Sequence, residues 1–203
     1  MDVKAAKKLL REEIWRELTE KRLVTFPLPA FGRVPNFVGS DAAADKVKQL
    51  DEWKNSKVVF ANPDAAQRKV RQNVLKEGKV LVMASPRLRH GFIVVNPDVV
   101  KGREEYASTI RGAFRFGKET SNFPKPDLIV TSCVAVDEKG HRLGKGHGYG
   151  DTEIRMVKEK FGKIPVVTTV HDLQVVTDVP FECHDEDVDV IVTPTRIVRV
   201  KSQ

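Results

Sequence analysis

The stretch PDLIVTSCVAVDEKGHRLGKGHGYGD, Pro126–Asp151, joins two kinds of sequence whose order sets the reading of the whole chain. Its first half, Pro126–Val136, is an apolar, β-rich run in which Thr131 and Ser132 leave room for a bend. The run is continuous and does not alternate with polar residues, as expected of a strand covered on both faces in a parallel sheet. Its second half, Arg142–Asp151, interleaves Gly144, Gly146, Gly148 and Gly150 with Lys145, His147 and Tyr149. Glycines let a backbone approach a ligand closely and take positive φ. Thr152 reads as the cap of a helix running to Phe161, whose first amides would form an anion site. Arg142, Lys145 and His147 can neutralise phosphate, and Asp151 can hold Mg²⁺. The segment therefore suits a loop around a phosphorylated ligand and its metal; the alternative is a flexible hairpin with incidental charge. It matches neither GxGxxG nor GxxxxGK[ST], so the dinucleotide fingerprint and the common nucleoside-triphosphate loop are both lacking.

Outward from this stretch, strand and helix patterns alternate. Val3, Ala6, Leu10, Ile14 and Leu18 form one helical stripe, with Lys4, Lys8, Arg11 and Glu12 opposite. TFPLPAFGRVPNF, Thr25–Phe37, breaks regular structure and is apolar enough to lie across the body of the protein. Ser40 reads as the N-cap of a helix to about Trp53. KVVFAN is a short strand, and the helix from Pro63 ends before Gly78, with the expected punctuation of proline at the start and glycine past the end. KVLVMAS and FIVVN are strands, Arg103–Phe116 is a helical stretch, IPVVTTVH is a strand, and VDVIVTPTRIVRV supplies one or two more. This predicts a single α/β domain over residues 1–203, with a mostly parallel sheet covered by helices on both faces. Ligands in such sheets bind beyond the carboxyl ends of strands, so the loops to search follow Val136, Ala84 and Val170.

The chain of 203 residues is ample for a sizeable core. Its net charge of +7 favours anionic partners such as nucleotides, polyanionic cofactors or nucleic acid, or else only reflects a lysine-rich surface. Aromatic residues are 7%, which disfavours base recognition on an aromatic platform. Cys133 and Cys183 belong to no CxxC pair, so neither a zinc site nor a disulfide framework is expected and a reducing compartment fits. Cys133 reads as a buried thiol. The N-terminus has no apolar signal core and no run approaches bilayer length, which predicts a cytoplasmic location with no membrane partner.

The segment Pro126–Asp151 resembles the signature of the 5-formyltetrahydrofolate cyclo-ligase, or methenyltetrahydrofolate synthetase, family. Lys7, Leu10 and Arg11 look like that family's KxxLR element; Gln174, Pro180, His184, Asp185, Asp189 and Thr193 follow the order of its C-terminal segment. Ile14–Trp15, Phe26–Gly39, Pro86–Gly91 and Val170–Val176 are similar to stretches of the methenyltetrahydrofolate synthetase domain-containing branch. Some members of that branch carry an RNA-recognition domain, and none is expected within these 203 residues. The resemblance implies a three-layer α/β/α fold of the NagB/ribose-5-phosphate isomerase/CoA transferase type. It implies ATP and Mg²⁺ as cofactors, and the cyclisation of 5-formyltetrahydrofolate, or a related formylated pterin, to 5,10-methenyltetrahydrofolate. Phosphorylation turns the N5-formyl oxygen into a leaving group, and N10 then attacks the activated carbon.

Carried onto this chain, the resemblance gives Lys7, Arg142 and Tyr149 the catalytic roles. Lys7, Arg11, Arg142, Gly144, Lys145, Gly146, His147, Gly148, Tyr149 and Asp151 would hold the nucleotide, and Asp151 with Asp185 would ligate Mg²⁺. For Lys7 and Arg11 the plain alternative is a solvated helix face; for Asp185 it is a turn aspartate. The chain departs from the family where paired tyrosines become Tyr149–Gly150, where Asp64 is the nearest counterpart of a substrate-contacting glutamate, and where SPRLRHGF brings Arg87, Arg89 and His90 to the folate side. His171, beside Asp172, is a second candidate for acid–base work or a hydrogen-bonded structural histidine. Two other functions stay open: a nucleotide-binding homologue without folate chemistry, and an RNA-binding or regulatory module, ranked last for want of aromatic platforms and RNA motifs. The oligomeric state is open between monomer and homodimer.

Overall fold

The computed structural model describes residues 2–200. Helices run over α1 (Val3–Glu20), α2 (Ser40–Val47), α3 (Asp51–Lys54), α4 (Arg68–Lys76), α5 (Glu104–Ala107), α6 (Ile110–Phe116) and α7 (Tyr149–Phe161). Strands are β1 (Val58–Ala61), β2 (Val80–Ala84), β3 (Phe92–Val95), β4 (Lys118–Thr120), β5 (Leu128–Thr131), β6 (Ala135–Asp137), β7 (Arg142–Leu143), β8 (Val166–Thr169), β9 (Val175–Val176), β10 (Val190–Val192) and β11 (Ile197–Arg199).

The main sheet has the order β11-β10-β8-β5-β1-β2-β3-β4. Its centre is parallel, from β10 through β8, β5 and β1 to β2. Antiparallel strands close each side: β11 at one edge, β3 and β4 at the other. The expected mostly parallel α/β sheet is what forms, because the central strands are apolar on both faces. Val59, Ala61, Leu81, Met83, Leu128 and Val130 pack with α2, α3 and α4. Their neighbours Phe60, Val82, Ile129 and Val166 pack on the other face with Ile154 and Val157 of α7.

The bend for which Thr131 and Ser132 leave room does form, and three other local expectations are corrected. The run Pro126–Val136 is two strands in two sheets: it bends at Ser132–Val134, and β6 joins a small sheet ordered β7-β6-β9. The helix expected over Ser40–Trp53 stops at Val47, and extended backbone at Leu50 turns Leu50 and Trp53 into the core. Its N-cap is Gly39, at φ 90°, and Ser40 is already helical. Arg103–Phe116 divides at Ser108–Thr109, where the Thr109 hydroxyl accepts from the Gly112 amide and starts a second helix.

The expected stripe of α1 does face inward, with Ile14 and Leu18 buried and Leu10 packed on the same cluster, but the inward face is wider than expected. Its buried residues are Lys7, Ile14, Trp15 and Leu18, so Lys7 and Arg11 share the inward face and are not part of a solvated one. That face packs on the small sheet through Val134, Ala135 and Leu143. Thr25–Phe37 does lie across the body, with Ala30, Val34 and Phe37 buried. Cys133 is buried as expected and Cys183 is exposed, with neither in a disulfide. Among the described residues, no helix is long and apolar enough to cross a membrane.

Candidate active site

In sheet order the chain leaves β1 toward β2 on one side and later returns to lay β5 on the other. Asn62, Pro63 and Asp64 follow β1 and Ser132 follows β5, so these residues line the crevice where the winding reverses. The β6–β7 hairpin brings the glycine-rich loop over that crevice. Its turn is held by the buried Asp137 carboxylate, which accepts from the amides of Lys139 at 2.9 Å, His141 at 3.1 Å and Val179 at 2.9 Å.

Arg142 is the first residue the hairpin delivers, and it is 3% exposed. Its Nη2 donates to Asp151 Oδ1 at 2.7 Å, bracing the loop across its two ends. The enclosed Arg142 Nε has no partner, the kind of orphaned donor that a bound anion satisfies. Gly150 leaves space for this guanidinium: a Cβ there would lie 3.1 Å from Arg142 Nη1. The expected cap Thr152 sits inside α7, where its hydroxyl donates to the Gly148 carbonyl. The N-cap is Gly148 itself, at φ 69°. Gly146, at φ 102°, lies against Arg11, whose Nε donates to the Gly144 carbonyl at 2.7 Å.

Two cavities meet at this loop and share Arg142, Gly144, Gly148 and Asp151 as walls. The outer one, about 360 Å³, faces α1 and contains Lys7, Arg11, Gly146, Arg155, Glu182 and Asp185. Lys7 Nζ donates to Glu182 Oε2 at 2.8 Å and to Asp185 Oδ2 at 2.5 Å. Burial works to lower the Lys7 ammonium, but its bonds to Asp185 and Glu182 outweigh that and raise it. The Lys7 hydrogen bond in turn holds Glu182 below the usual carboxylate range. Ligand atoms of Glu182, His184 and Asp185 lie within 4.8 Å of one another. With Asp151 in the same cavity, the carboxylate oxygens are the hard donors that Mg²⁺ takes, and the lysine, arginines and loop amides suit phosphate.

The inner cavity, about 380 Å³, is bounded by Asn62, Asp64, Ser132, Lys145, His147, Tyr149 and Glu153, with Arg33 and Arg87 at its rim. Lys145 Nζ reaches Asp64 Oδ1 at 3.3 Å, and Ser132 Oγ donates to Asp64 Oδ2 at 3.0 Å. His147 and Tyr149 are stacked. Arg87 and Leu88 sit at positive φ (58° and 53°), a conformation that costs side-chain-bearing residues energy. Burial, then the Asp64 carboxylate, pushes the Glu153 carboxyl up to about 8, against the pull of Arg142 and Lys145. A basic groove lined by Arg33, Arg68, Arg111 and Lys145 continues outward from this cavity.

Every residue expected to hold the nucleotide or Mg²⁺ lines one or both cavities: Lys7, Arg11, Gly146 and Asp185 the outer one, Lys145, His147 and Tyr149 the inner one, and Arg142, Gly144, Gly148 and Asp151 both; of the residues expected on the folate side, Asp64 and Arg87 line the inner cavity and Arg89 and His90 do not. Among the three loops singled out, those after Val136 and Ala84 contribute, and the one after Val170 does not. His171 instead caps the short turn Asp172–Gln174, its Nδ1 accepting from the Leu173 amide at 3.1 Å. Sequence reasoning missed Asn62, Ser132, Glu153, Glu182 and Arg33. Only Glu153 carried a local signal, since it stands four residues after Tyr149 on one helix face.

The model of the 5-formyltetrahydrofolate cyclo-ligase family matches residues 3–194. The chain belongs to the 5-formyltetrahydrofolate cyclo-ligase family. It is 39% identical over 205 residues to the methenyltetrahydrofolate synthase domain-containing protein of Bos taurus, covering 95% of this chain and 53% of that protein. The Homo sapiens counterpart is 38% identical over 207 residues, covering 97% and 54%. The chain thus spans about half the length of these curated relatives. A shorter match of 71 residues, 35% identical and covering 35% of this chain and 38% of the other, links it to the 5-formyltetrahydrofolate cyclo-ligase of Escherichia coli strain K12. Among solved structures, the Aquifex aeolicus 5,10-methenyltetrahydrofolate synthetase superposes with a TM-score of 0.59 at 25% identity, covering 96% of this chain and 94% of that one. A Mycoplasma pneumoniae 5,10-methenyltetrahydrofolate synthetase gives 0.55 at 14% identity, covering 96% and 99%, and shares the fold.

Proposed function

We propose that this chain is an ATP- and Mg²⁺-dependent cyclo-ligase that converts 5-formyltetrahydrofolate, or a related formylated pterin, to 5,10-methenyltetrahydrofolate. The observation that carries the reading is the pair of cavities meeting across one glycine-rich loop, one basic with a carboxylate cluster and the other polar, sharing Arg142 and Asp151. Such a reaction needs a triphosphate and a second reactant held on either side of one wall, with negative charge neutralised at the junction.

The outer cavity takes the triphosphate, with Lys7, Arg11, Arg142 and the amides from Gly144 to Gly148 around it. Asp151 and Asp185 hold Mg²⁺, which when bound neutralises phosphate charge. The inner cavity takes the pterin, with Tyr149 along its ring and the basic groove receiving its anionic tail. The formyl oxygen attacks the γ-phosphorus and ADP leaves. N10 then bonds to the formyl carbon, the C–O bond breaks with release of phosphate, and N10 loses its proton. Arg142, at the shared wall, is the cation placed to meet charge developing on the transferred group.

The test is appearance of the methenyl chromophore from 5-formyltetrahydrofolate, dependent on both ATP and Mg²⁺. A second reading, a nucleotide-binding homologue without this chemistry, draws on the single tyrosine of the inner cavity and on Gly150 where the family pairs a second one. Stabilisation by ATP–Mg²⁺ with no chromophore would favour it. The soluble, cytoplasmic setting of folate metabolism suits the chain.

A further inference from the structure

The inner cavity contains an acid that the reaction above leaves unassigned. Glu153 is 4% exposed, yet its side chain lines the cavity. It lies one helical turn beyond Tyr149, so helix geometry sets its carboxyl beneath the same space that the tyrosine ring borders. Asp137, Asp64 and Asp151, other enclosed acids near the loop, are satisfied by amides, a hydroxyl, a lysine or an arginine. Among the described residues, no protein hydrogen bond acts on the Glu153 carboxyl; only burial and the charges of Asp64, Arg142, Lys145 and Asp151 do. A buried carboxyl group without a donor is a strong incentive to bind one.

We propose that Glu153 is a specificity-determining residue that reads the hydrogen-bond-donor edge of the pterin ring, the adjacent ring N–H and exocyclic amino group of its 2-amino-4-oxopyrimidine half. The inference rests on the cyclo-ligase reading and deepens it. Two parallel donors on a planar ring match the two oxygens of one carboxyl group. Both oxygens accept together only in the ionised carboxylate, the form that two ring donors favour. The same side chain disfavours phosphate, so Glu153 and Asp64 sort the reactants between cavities: the triphosphate goes to the lysine and arginines of the outer one, and the donor-bearing ring goes to the acids of the inner one. It also supplies orientation that the pocket, with Gly150 at the family's second tyrosine position, does not obtain from a second ring face.

The test uses the wild-type chain, Glu153→Gln and Glu153→Leu, each assayed with 5-formyltetrahydrofolate and with its 2-desamino-2-methyl analogue, with thermal melting as a check on folding. Loss of the paired acceptor should raise the KM for 5-formyltetrahydrofolate by about 10- to 100-fold in Glu153→Leu and less in Glu153→Gln, leaving the KM for ATP within about twofold. The wild type should discriminate against the analogue by about tenfold or more, and Glu153→Leu should not, a difference that a purely structural role would leave untouched. Should Glu153→Leu fail to fold, reduced discrimination in the near-isosteric Glu153→Gln carries the same expectation. Wild-type turnover combined with unchanged discrimination in the folded variants overturns this inference alone. Absence of turnover by the wild type overturns the cyclo-ligase reading and this inference with it.

Discussion

Lys7 and His171 show how far a single side chain departs from its plain reading once its neighbours are known. Lys7 carries a charge on the inward helix face, beside Arg11, because Glu182 and Asp185 come to meet it from the far end of the chain. Removing it leaves two carboxylates facing each other in a half-enclosed site, so Lys7→Met should lower the melting temperature and weaken ATP–Mg²⁺ binding by at least about tenfold, measured by calorimetry. His171 works through its neutral ring, whose Nδ1 accepts the Leu173 amide. Burial, aided by Lys21 and opposed by Asp172, lowers it from the ordinary value of 6.5. A depressed folded-state value means that its contribution is present above 6.5 and is lost as pH falls through the lower folded value. His171→Asn keeps an oxygen that can cap the turn without titrating. Its melting temperature should therefore fall less than the wild type's between pH 7 and pH 5, as followed by circular dichroism.

At the scale of elements, glycines decide how closely segments approach. A Cβ on Gly112 would come within 1.9 Å of the Tyr106 carbonyl oxygen and 2.8 Å of the Ala107 Cα, where α6 turns back on α5. Backbone cannot move aside as a flexible side chain can, so Gly112→Ala should destabilise the fold by about 1–3 kcal/mol or more in urea titration without a specific loss of nucleotide affinity. Gly146→Ala should do the reverse. Its φ of 102° is strained for any side chain, and the site is an exposed loop tip against Arg11. The fold should survive while ATP–Mg²⁺ binding weakens, because the loop can relax only by shifting its amides.

For the whole molecule, the fully buried Arg71 links three regions. Its Nε donates to the Ser108 carbonyl at 2.7 Å, and its Nη1 to those of Asn62 at 2.5 Å and Asp64 at 2.9 Å. Burial lowers its guanidinium to about 10, still well above neutrality, so it stays charged. This places α4, the α5–α6 junction and the crevice loop after β1 in one frame, and with them the Asp64 carboxylate. Arg71→Leu leaves the Asn62 and Ser108 carbonyls without donors, at roughly 1–3 kcal/mol each, and the Asp64 carbonyl with the Gln67 amide alone, and should unfold much of the protein at ambient temperature. ATP–Mg²⁺ at about a hundred times its dissociation constant should return about 2.7 kcal/mol to the wild type, visible as a rise in melting temperature.

What the residues alone determined was the run of buried strands, the helices between them, the glycine-rich loop and the family signature across the chain. These are local patterns: apolar continuity, punctuation by proline and glycine, and motif spacing act within a few residues of one another. Tertiary structure alone decided that β5 and β6 belong to different sheets, that Lys7 faces inward toward Glu182 and Asp185, and that Asn62, Asp64, Ser132 and Glu153 surround one cavity. Those facts depend on which strands pair and which segments cross, over separations such as the 178 residues between Lys7 and Asp185, and no local preference encodes such meetings. The order of the sheet does, because it places the ends of β1 and β5 side by side where the winding reverses.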